Sequence, residues 1–296
     1  MRRLKRLAVI GVGLVGGSLA LALRRAGAVA SIAGYDRDGE ALERAAALGV
    51  IDTAAASASD AAKGADLVVV AVPVRSIGPV LHDVALAMDA HAVVTDVGST
   101  KGEVMTVARE ELRDRFPRFV PGHPIAGREA SGVEAAVAEL FRSARVVLTP
   151  DASTAPDAVE LVKACWEAAG ARVASMPAER HDRIFAAVSH LPHMLSFALV
   201  SEIAEREDAD ELLGFAAGGF RDFTRIAASS PEMWRDIALQ NRAALLEEVD
   251  RYGARLAVFR ELIARGDGPG LERLMTEART ARHAWGAGNR RTASSE

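Results

Sequence analysis

The chain has 296 residues, of which 50% are hydrophobic and 26% charged, which fits one large or two ordinary globular domains and excludes disordered and collagen-like chains. Its formal net charge of -4 excludes an overall attraction to nucleic acid or anionic membranes, and we predict a small-molecule substrate. The one cysteine, Cys165, excludes an intramolecular disulfide framework and a cysteine-based zinc cluster, and fits a reducing cytoplasm.

The first residues, "MRRLKR" followed by an apolar run, resemble a secretory signal. Glycines at the spacing of a nucleotide-binding turn interrupt that run, and Arg24 and Arg25 close it before any cleavage-like site. We therefore expect the segment to remain in the folded protein. No other segment approaches about 18 uncharged apolar residues, so the sequence predicts no membrane-spanning helix.

Short runs rich in valine and isoleucine alternate with alanine- and leucine-rich segments through residues 1–176. They are "LAVIG", "SIAGYD", "ADLVVVAVP", "AVVTDVG", "RFVPG", "ARVVLTP" and "ARVASMP". The runs are apolar at successive positions, as strands covered by helices on both faces should be. The sequence predicts a doubly wound parallel α/β domain of the dinucleotide-binding type over residues 1–176.

A glycine pattern directly follows the first run and opens a helical segment. In "LAVIGVGLVGGSLALAL", Gly11 permits a tight turn, Gly13 lets backbone N–H groups approach a pyrophosphate, and Gly16 lets the helix pack closely on the strand. Asp36 in "GYDRD" follows about 20 residues later, where a carboxylate can accept hydrogen bonds from an adenosine ribose. Its charge favours NAD over NADP, although Arg37 could bind the additional phosphate of NADP.

After residue 176 the strand-like runs stop, and residues 177–285 are predicted to form a helical domain. Its first helix carries one apolar stripe, made of Ile184, Val188, Leu191, Leu195 and Leu199. Pro192 removes one hydrogen bond from this helix and should kink it. His190 and His193, three residues apart, should point from nearly the same face.

Further helices are predicted later in this domain. Ser230 is a capping residue and Pro231 fits the first turn of a helix. The predicted helices cover residues 231–252, 254–264 and 270–284. Residues 286–296 are predicted to be a disordered tail.

Polar residues at two other strand ends are candidates for substrate binding. Ser99 and Thr100 in "TDVGSTKG" lie at a strand-to-helix turn, where their hydroxyls could hold a polar substrate group or the nicotinamide, or could simply cap the helix. His123 in "GHPIAGRE" is predicted to lie in a turn after a short strand, with Glu129 in the same part of the sheet. Ionisable groups in turns at strand ends carry chemistry more often than those in cores.

The helical half holds two further polar patches. In "GGFRDFTRIAASSPEMW", Arg221, Asp222 and Arg225 lie among apolar residues, so some of these charges face solvent or a partly buried anion site. His190 and His193 offer two nitrogen ligands, but no obvious third ligand accompanies them. The sequence therefore predicts no metal site.

Five segments of the chain follow one another in a distinctive order and spacing: "GVGLVGGSLA", "TDVGSTKG", "GHPIAGREASGVE", "VSHLPH" and "GGFRDFTRIAASSPEMWRDI". Together they resemble the prephenate and arogenate dehydrogenases of tyrosine biosynthesis. The resemblance extends from about residue 7 to residue 262 and covers both predicted domains. We expect neither a fused helical mutase before the first strand nor a regulatory module after the helical domain.

The resemblance implies oxidative decarboxylation of a cyclohexadienol that carries a ring carboxylate and a pyruvyl or alanyl side chain. It implies that His123 is the base that takes the ring hydroxyl proton, with Ser99 beside the same hydroxyl. Arg225 would anchor a substrate carboxylate through its planar guanidinium. The implied substrate-binding residues, the last two near the rim of the pocket, are His193, Arg225, Trp234 and Glu129.

The resemblance also implies an NAD-dependent cytoplasmic enzyme that dimerises through its helical domain, whose apolar stripes exceed what one small bundle needs. A histidine ring must be uncharged to accept a proton. Activity should therefore fall as the pH drops through the pKa of His123, about 6.5 for an unperturbed histidine, which a nearby substrate carboxylate could raise.

Two other functions are compatible with the glycine pattern. A β-hydroxyacid dehydrogenase pairs a similar first domain with helices but relies on a lysine in its central helix, and no lysine occurs between Arg180 and Ala264. A non-catalytic NAD-sensing module would leave His123, His193 and Arg225 without a role. Reduction of the cofactor on adding prephenate would distinguish these alternatives.

Overall fold

The computed structural model describes residues 3–128 and 130–294, with side chains up to residue 286. Its contacts divide the chain into two units, Met1–Leu245 and Leu246–Glu296. The first helices of the helical half thus belong to the first unit, and the predicted domain boundary between residues 176 and 177 stays a prediction.

The first unit contains a six-stranded sheet in which all neighbouring strands are parallel. The strands are β1 (Leu4–Ile10), β2 (Val29–Tyr35), β3 (Thr53–Ala54), β4 (Leu67–Val70), β5 (Val93–Asp96) and β6 (Phe119–Val120), in the order β3-β2-β1-β4-β5-β6. The intervening helices are α1 (Leu14–Arg25), α2 (Gly39–Ala47), α3 (Ala58–Ala62), α4 (Ile77–Ala85) and α5 (Gly102–Leu112). The strand order reverses between β1 and β4, where such sheets open a ligand crevice. The predicted doubly wound domain is confirmed.

The core lies on both faces of this sheet. Along β1, Leu7 and Val9 join one buried apolar cluster, whereas Ala8 and Ile10 join another. All four side chains are fully buried. Burial on both faces explains why the strands appear in the sequence as continuous apolar runs rather than as alternating patterns.

A second, three-stranded sheet corrects the prediction that all the apolar runs form one parallel sheet. Its strands are β7 (Gly122–Ile125), β8 (Arg145–Leu148) and β9 (Arg172–Ser175), with α6 (Pro156–Ala168) before β9. Strand β7 is antiparallel to β8, and β8 is parallel to β9. Pro121 separates β6 from β7, and because proline lacks an amide hydrogen it cannot extend the ladder of the first sheet. His123 lies inside β7, so its predicted place in a turn is wrong.

The helical part of the first unit starts with α7 (Ala178–Phe185), a π-helical turn over Ala186–His190, and α8 (Leu191–Ala204). The predicted apolar stripe is wrong at Val188, which is 66% exposed. A π turn contains more residues than an α-helical turn, so the side chains around it do not follow the regular helical spacing. The kink predicted at Pro192 stays a prediction; the proline lies in the first turn of α8, two residues after the π turn ends.

Four more helices follow: α9 (Ala209–Gly214), α10 (Gly218–Thr224), α11 (Pro231–Gln240) and α12 (Arg242–Arg265). The predicted cap is confirmed, because Ser230 Oγ accepts a hydrogen bond from Met233 N at 3.3 Å. The predicted boundary between a helix over residues 231–252 and one over residues 254–264 is wrong. The break lies at Asn241, whose side chain donates to Asp182 O at 2.8 Å, and α12 continues through Gly253.

The second unit contains the rest of α12 and α13 (Gly268–Ser294), which includes the predicted helix over residues 270–284. Val249, Leu256 and Ile263 recur every seven residues along α12, and all three are exposed. Disorder of residues 286–296 stays a prediction, and residues 295 and 296 lie outside the described residues.

One stretch of the described residues, Ala178–Ala204, is long and apolar enough to cross a membrane by length and composition alone. Length and composition alone do not show that the stretch crosses a membrane, so the absence of a membrane-spanning helix stays a prediction. Within the first unit, however, Asp182 and His190 of this stretch are buried and hydrogen-bonded to Gly102 and Asn241. Such hydrogen bonds between buried polar side chains and other segments are typical of a helix inside a globular unit.

Replacing Gly16 tests the close packing of α1 on β1. A Cβ atom at Gly16 would lie 2.1 Å from Gly11 O, a backbone atom that moves only with the turn. We expect Gly16→Ala to lower the free energy of unfolding by about 1–3 kcal/mol, measured by thermal or urea denaturation. Gly39→Ala, where a Cβ has no neighbour within 4 Å, is the matched control and should keep wild-type stability. Equal losses in the two variants would contradict this account.

Candidate active site

The glycine turn between β1 and α1 has the geometry of an anion cradle. Gly11 has a φ of +94°, and a Cβ there would lie 2.3 Å from Ala71 O. Gly13 is the N-cap of α1 without a side-chain cap, and a Cβ there would meet no atom within 4 Å. The first N–H groups of α1 therefore adjoin open space, where an anion can approach them.

Asp36 lies immediately after β2 and beside this turn. Its Oδ2 accepts a hydrogen bond from Val12 N at 3.0 Å, and its Oδ1 accepts one from Asp38 N at 3.1 Å. The half-buried carboxylate thus lies next to the glycine turn, as a ribose-binding residue would.

A cleft of about 480 Å³ opens at the point where the strand order reverses. The glycine turn contributes Gly13, the loop after β5 contributes Ser99, and the helical half contributes Ser230 and Asp236. Both halves of the chain therefore line one cleft within the first unit, which is large enough for small molecules.

Asp96, at the carboxyl end of β5, connects the Ser99 loop to the His123 strand. It accepts hydrogen bonds from Gly98 N at 2.8 Å and from Gly122 N at 3.1 Å, next to Ser99 and His123 respectively. The buried Lys101 ammonium pairs with the Asp96 carboxylate and also donates to Gly122 O at 2.8 Å. Burial lowers the pKa of Lys101, although Asp96 acts in the opposite direction.

The N-terminus of α5 is capped from the helical half rather than by its own hydroxyls. The Asp182 carboxylate of α7 accepts hydrogen bonds from Lys101 N at 2.8 Å and Gly102 N at 2.7 Å. Thr100 Oγ1 donates instead to Gln240 Oε1 at 2.7 Å. The alternative in which Ser99 or Thr100 caps α5 is therefore wrong. Ser99 instead lines the cleft.

His123 forms a hydrogen bond to a second histidine that the sequence analysis missed. His123 Nδ1 lies 2.8 Å from His181 Nε2, and His181 Nδ1 lies 2.8 Å from Asp182 Oδ1. The Phe185 ring packs on both imidazoles, with centroid distances of 4.8 Å and 4.5 Å. The available signal was "ERHDR", which places adjacent ionisable residues near the start of an amphipathic helix that has to bury one face.

The environment of His123 keeps its ring uncharged. Burial lowers the pKa of His123 well below the ordinary histidine value, and electrostatic interactions with His181, Lys101 and His190 lower it further. In the free protein His123 is therefore not an unperturbed histidine, and the effect of a bound substrate carboxylate on its pKa stays a prediction.

His193 and Trp234 form a stacked pair. Their ring centroids are 3.5 Å apart and their planes differ by 20°. His193 Nδ1 donates to Ser189 O at 2.9 Å, which leaves Nε2 without the hydrogen. Trp234 is buried, and its neighbour His193 is half-buried, so His193 is the more accessible member of the pair.

His190 and His193 both contact Trp234, as their spacing predicted, but they have different polar partners. His190 Nδ1 accepts a hydrogen bond from Asn241 Nδ2 at 3.1 Å, and burial lowers the pKa of His190 to about 4. Among the described residues, no group of three or more metal-binding side chains includes them.

Arg225 follows α10, and its positive charge contributes to the lowered pKa of His193, after burial as the main cause. Its exposed guanidinium is therefore within electrostatic reach of the stacked pair. Glu129 lies outside the described residues. The assignment of substrate-binding roles to Arg225, His193, Trp234 and Glu129 stays a prediction.

Family models match most of the chain. "Prephenate dehydrogenase, nucleotide-binding domain" matches residues 19–175, and "Prephenate dehydrogenase, dimerization domain" matches residues 177–277. Together they include residues of the sheets and of the helical half.

Individual relatives match over nearly their whole length. A cyclohexadienyl dehydrogenase of Zymomonas mobilis is 38% identical over 280 residues, covering 94% of this chain and 95% of the relative. A prephenate dehydrogenase structure from A. aeolicus, in complex with hydroxyphenyl propionate and NAD+, is 38% identical with a TM-score of 0.88, covering 94% and 97% of the two chains. An arogenate dehydrogenase structure from Synechocystis is 31% identical with a TM-score of 0.80, covering 95% and 99%. The resemblance predicted from the five motifs is confirmed, and the chain belongs to the prephenate dehydrogenase family.

Proposed function

We propose that this chain converts prephenate to 4-hydroxyphenylpyruvate, or arogenate to tyrosine, by NAD-dependent oxidative decarboxylation in tyrosine biosynthesis. The names of the relatives from Z. mobilis, A. aeolicus and Synechocystis support an oxidoreductase acting on this substrate class. The observation that carries the proposal is the single cleft lined by the glycine turn, Ser99 and the helical half, to which Asp96 ties the His123 strand.

The residues of the glycine turn fit NAD. Gly11, Gly13 and Gly16 keep side chains away from the N-terminus of α1, whose N–H groups would bind the pyrophosphate. Asp36 would accept hydrogen bonds from the adenosine ribose, and its charge disfavours the additional phosphate of NADP. Bound NAD would supply the hydride acceptor for the ring carbinol carbon.

His123 is the base in this proposal. Its uncharged imidazole takes the proton of the ring hydroxyl as the hydride leaves, and Ser99 holds the same hydroxyl. Arg225 binds a substrate carboxylate through its guanidinium fork, and His193 and Trp234, whose rings are stacked, also bind the substrate. The resemblance also assigns a substrate-binding role to Glu129, which lies outside the described residues. Each role follows the family resemblance.

We also propose that the chain forms a homodimer in the cytoplasm. The match to a dimerization domain supports the dimer. Along α12 of the second unit, Leu246, Val249, Leu256 and Ile263 are exposed on one helical face, which is typical of a helix that buries that face against another chain.

Turnover by the wild-type chain tests the function. We expect reduction of NAD, with release of one carbon dioxide per NADH, on addition of prephenate or arogenate, and a higher kcat/KM with NAD than with NADP. A 3-hydroxy acid should give no reduction. If NAD binds but neither cyclohexadienyl substrate is oxidised, the non-catalytic NAD-sensing alternative is favoured.

Arg225→Ala should mainly weaken substrate binding. The lost contact to a carboxylate exists before the transition state, so KM should rise while the affinity for NAD stays nearly unchanged. Arg225→Lys should fall between wild type and the alanine variant, since an ammonium keeps the charge but lacks the bidentate fork. An alanine variant with wild-type substrate saturation would assign Arg225 a structural role only.

His123→Asn should lower kcat by roughly 10² to 10⁴ with a modest change in substrate affinity, because the amide retains hydrogen bonding but is no base. The neutral ring is the active form, and burial lowers its pKa. In the wild type, kcat/KM should thus stay level below the ordinary histidine pKa of 6.5 and fall only at still lower pH. If His123→Asn has nearly the wild-type kcat, and its kcat/KM still falls at low pH as in the wild type, the assignment of His123 as the base is refuted.

A further inference from the structure

We propose that His181 and Asp182 are positioning residues for His123, holding its imidazole in the tautomer that carries hydrogen on Nδ1 and leaves Nε2 free to accept a proton. This inference rests on the proposed function, in which His123 is the base. It is carried by the hydrogen-bonded series Asp182, His181, His123, with both contacts at 2.8 Å.

The direction of the series is set at Asp182. Its two carboxylate oxygens accept hydrogen bonds from Lys101 N and Gly102 N. Burial alone would raise the pKa of Asp182, but the hydrogen bonds from His181, Gly102 and Lys101 outweigh it and keep the pKa below its ordinary value. An ionised carboxylate can only accept, so His181 Nδ1 carries the hydrogen in the contact with Asp182 Oδ1.

The hydrogen on His181 Nδ1 then determines the tautomer of His123. His181 is fully buried, and burial lowers its pKa, so its ring is neutral and carries one hydrogen only. His181 Nε2 is therefore the acceptor, and His123 Nδ1 is the donor. Because the neutral His123 ring also has a single hydrogen, its lone pair is on Nε2.

The charges around the two rings keep the free base neutral. Besides burial, Lys101, together with His181 and His190, lowers the pKa of His123. His181 is subject to Lys101 and, with opposite sign, to Asp182 and Asp96. When His123 takes a proton, the Asp182 carboxylate behind His181 stabilises the resulting imidazolium, as a buried acid does behind a catalytic histidine.

Asp182 is itself held from three directions. Its carboxylate is fixed by the N-terminus of α5, its backbone O accepts from Asn241 Nδ2 at 2.8 Å, and the adjacent His181 packs on Phe185. The positioning pair therefore couples α7 to the loop that carries Ser99.

The Asp182→Asn variant tests the proposal. Lys101 N and His181 Nδ1 both lie on Oδ1 and Gly102 N lies on Oδ2, so the one oxygen of an amide cannot accept from all three donors, and the negative charge behind His181 is lost. We expect kcat to fall on the order of 10² to 10⁴, with KM for prephenate within about threefold of wild type and the acid limb of the kcat/KM profile moved to lower pH. Asp151→Asn, which removes a carboxylate bonded to Ser153 N and Arg109, is the matched control and should keep wild-type kinetics.

Nitrogen-15 NMR of histidine-labelled protein without substrate measures the tautomer directly, with the His123 signals assigned from His123→Asn. We expect hydrogen on Nδ1 of His123 in the wild type and a weaker preference for this tautomer in Asp182→Asn. His181→Gln, which can still accept from His123, should retain more activity than His181→Phe.

Hydrogen on Nε2 of His123 in the wild type would overturn the proposal, as would an Asp182→Asn variant with wild-type kcat and pH profile. Because the tautomer is measured without turnover, it remains decisive if the mutant folds poorly. Absence of prephenate and arogenate oxidation by the wild type, with the expected tautomer present, would instead refute the proposed function.

Discussion

The buried ion pair between Asp96 and Lys101 is the interaction on which the site depends. Asp96 accepts backbone hydrogen bonds from both the Ser99 loop and the His123 strand, and Lys101 returns to the same strand through Gly122 O. Both side chains are fully buried, so loss of either partner would leave an uncompensated charge, which costs about 3–5 kcal/mol. The pair therefore fixes the loop and the strand relative to each other.

The same desolvation controls the protonation of the histidines. His123, His181, His190 and His193 all have lowered pKa values, with burial as the largest cause in each. A cationic lysine among them adds to this effect at His123. The protein thus maintains neutral imidazoles, which can accept protons, beside a buried lysine and aspartate that lie in contact.

The helical half completes the site by supplying polar groups to the sheet domain. Asp182 caps α5, Asn241 binds the backbone of α7, and Gln240 binds Thr100. These contacts explain why the helices up to Leu245 belong to the same unit as the sheet. They also explain why a stretch as apolar as Ala178–Ala204 carries buried ionisable side chains.

The sequence alone determined the doubly wound sheet, the glycine turn, the Ser230 cap and the family, because each depends on local spacing along the chain. Only the tertiary structure decided the antiparallel pairing of β7 with β8, the exposure of Val188 beside the π turn, and the break at Asn241. It also decided that Asp182 caps α5 and that His181 meets His123. These features depend on which buried polar groups from distant segments satisfy one another, and residue spacing within one segment carries no information about that choice.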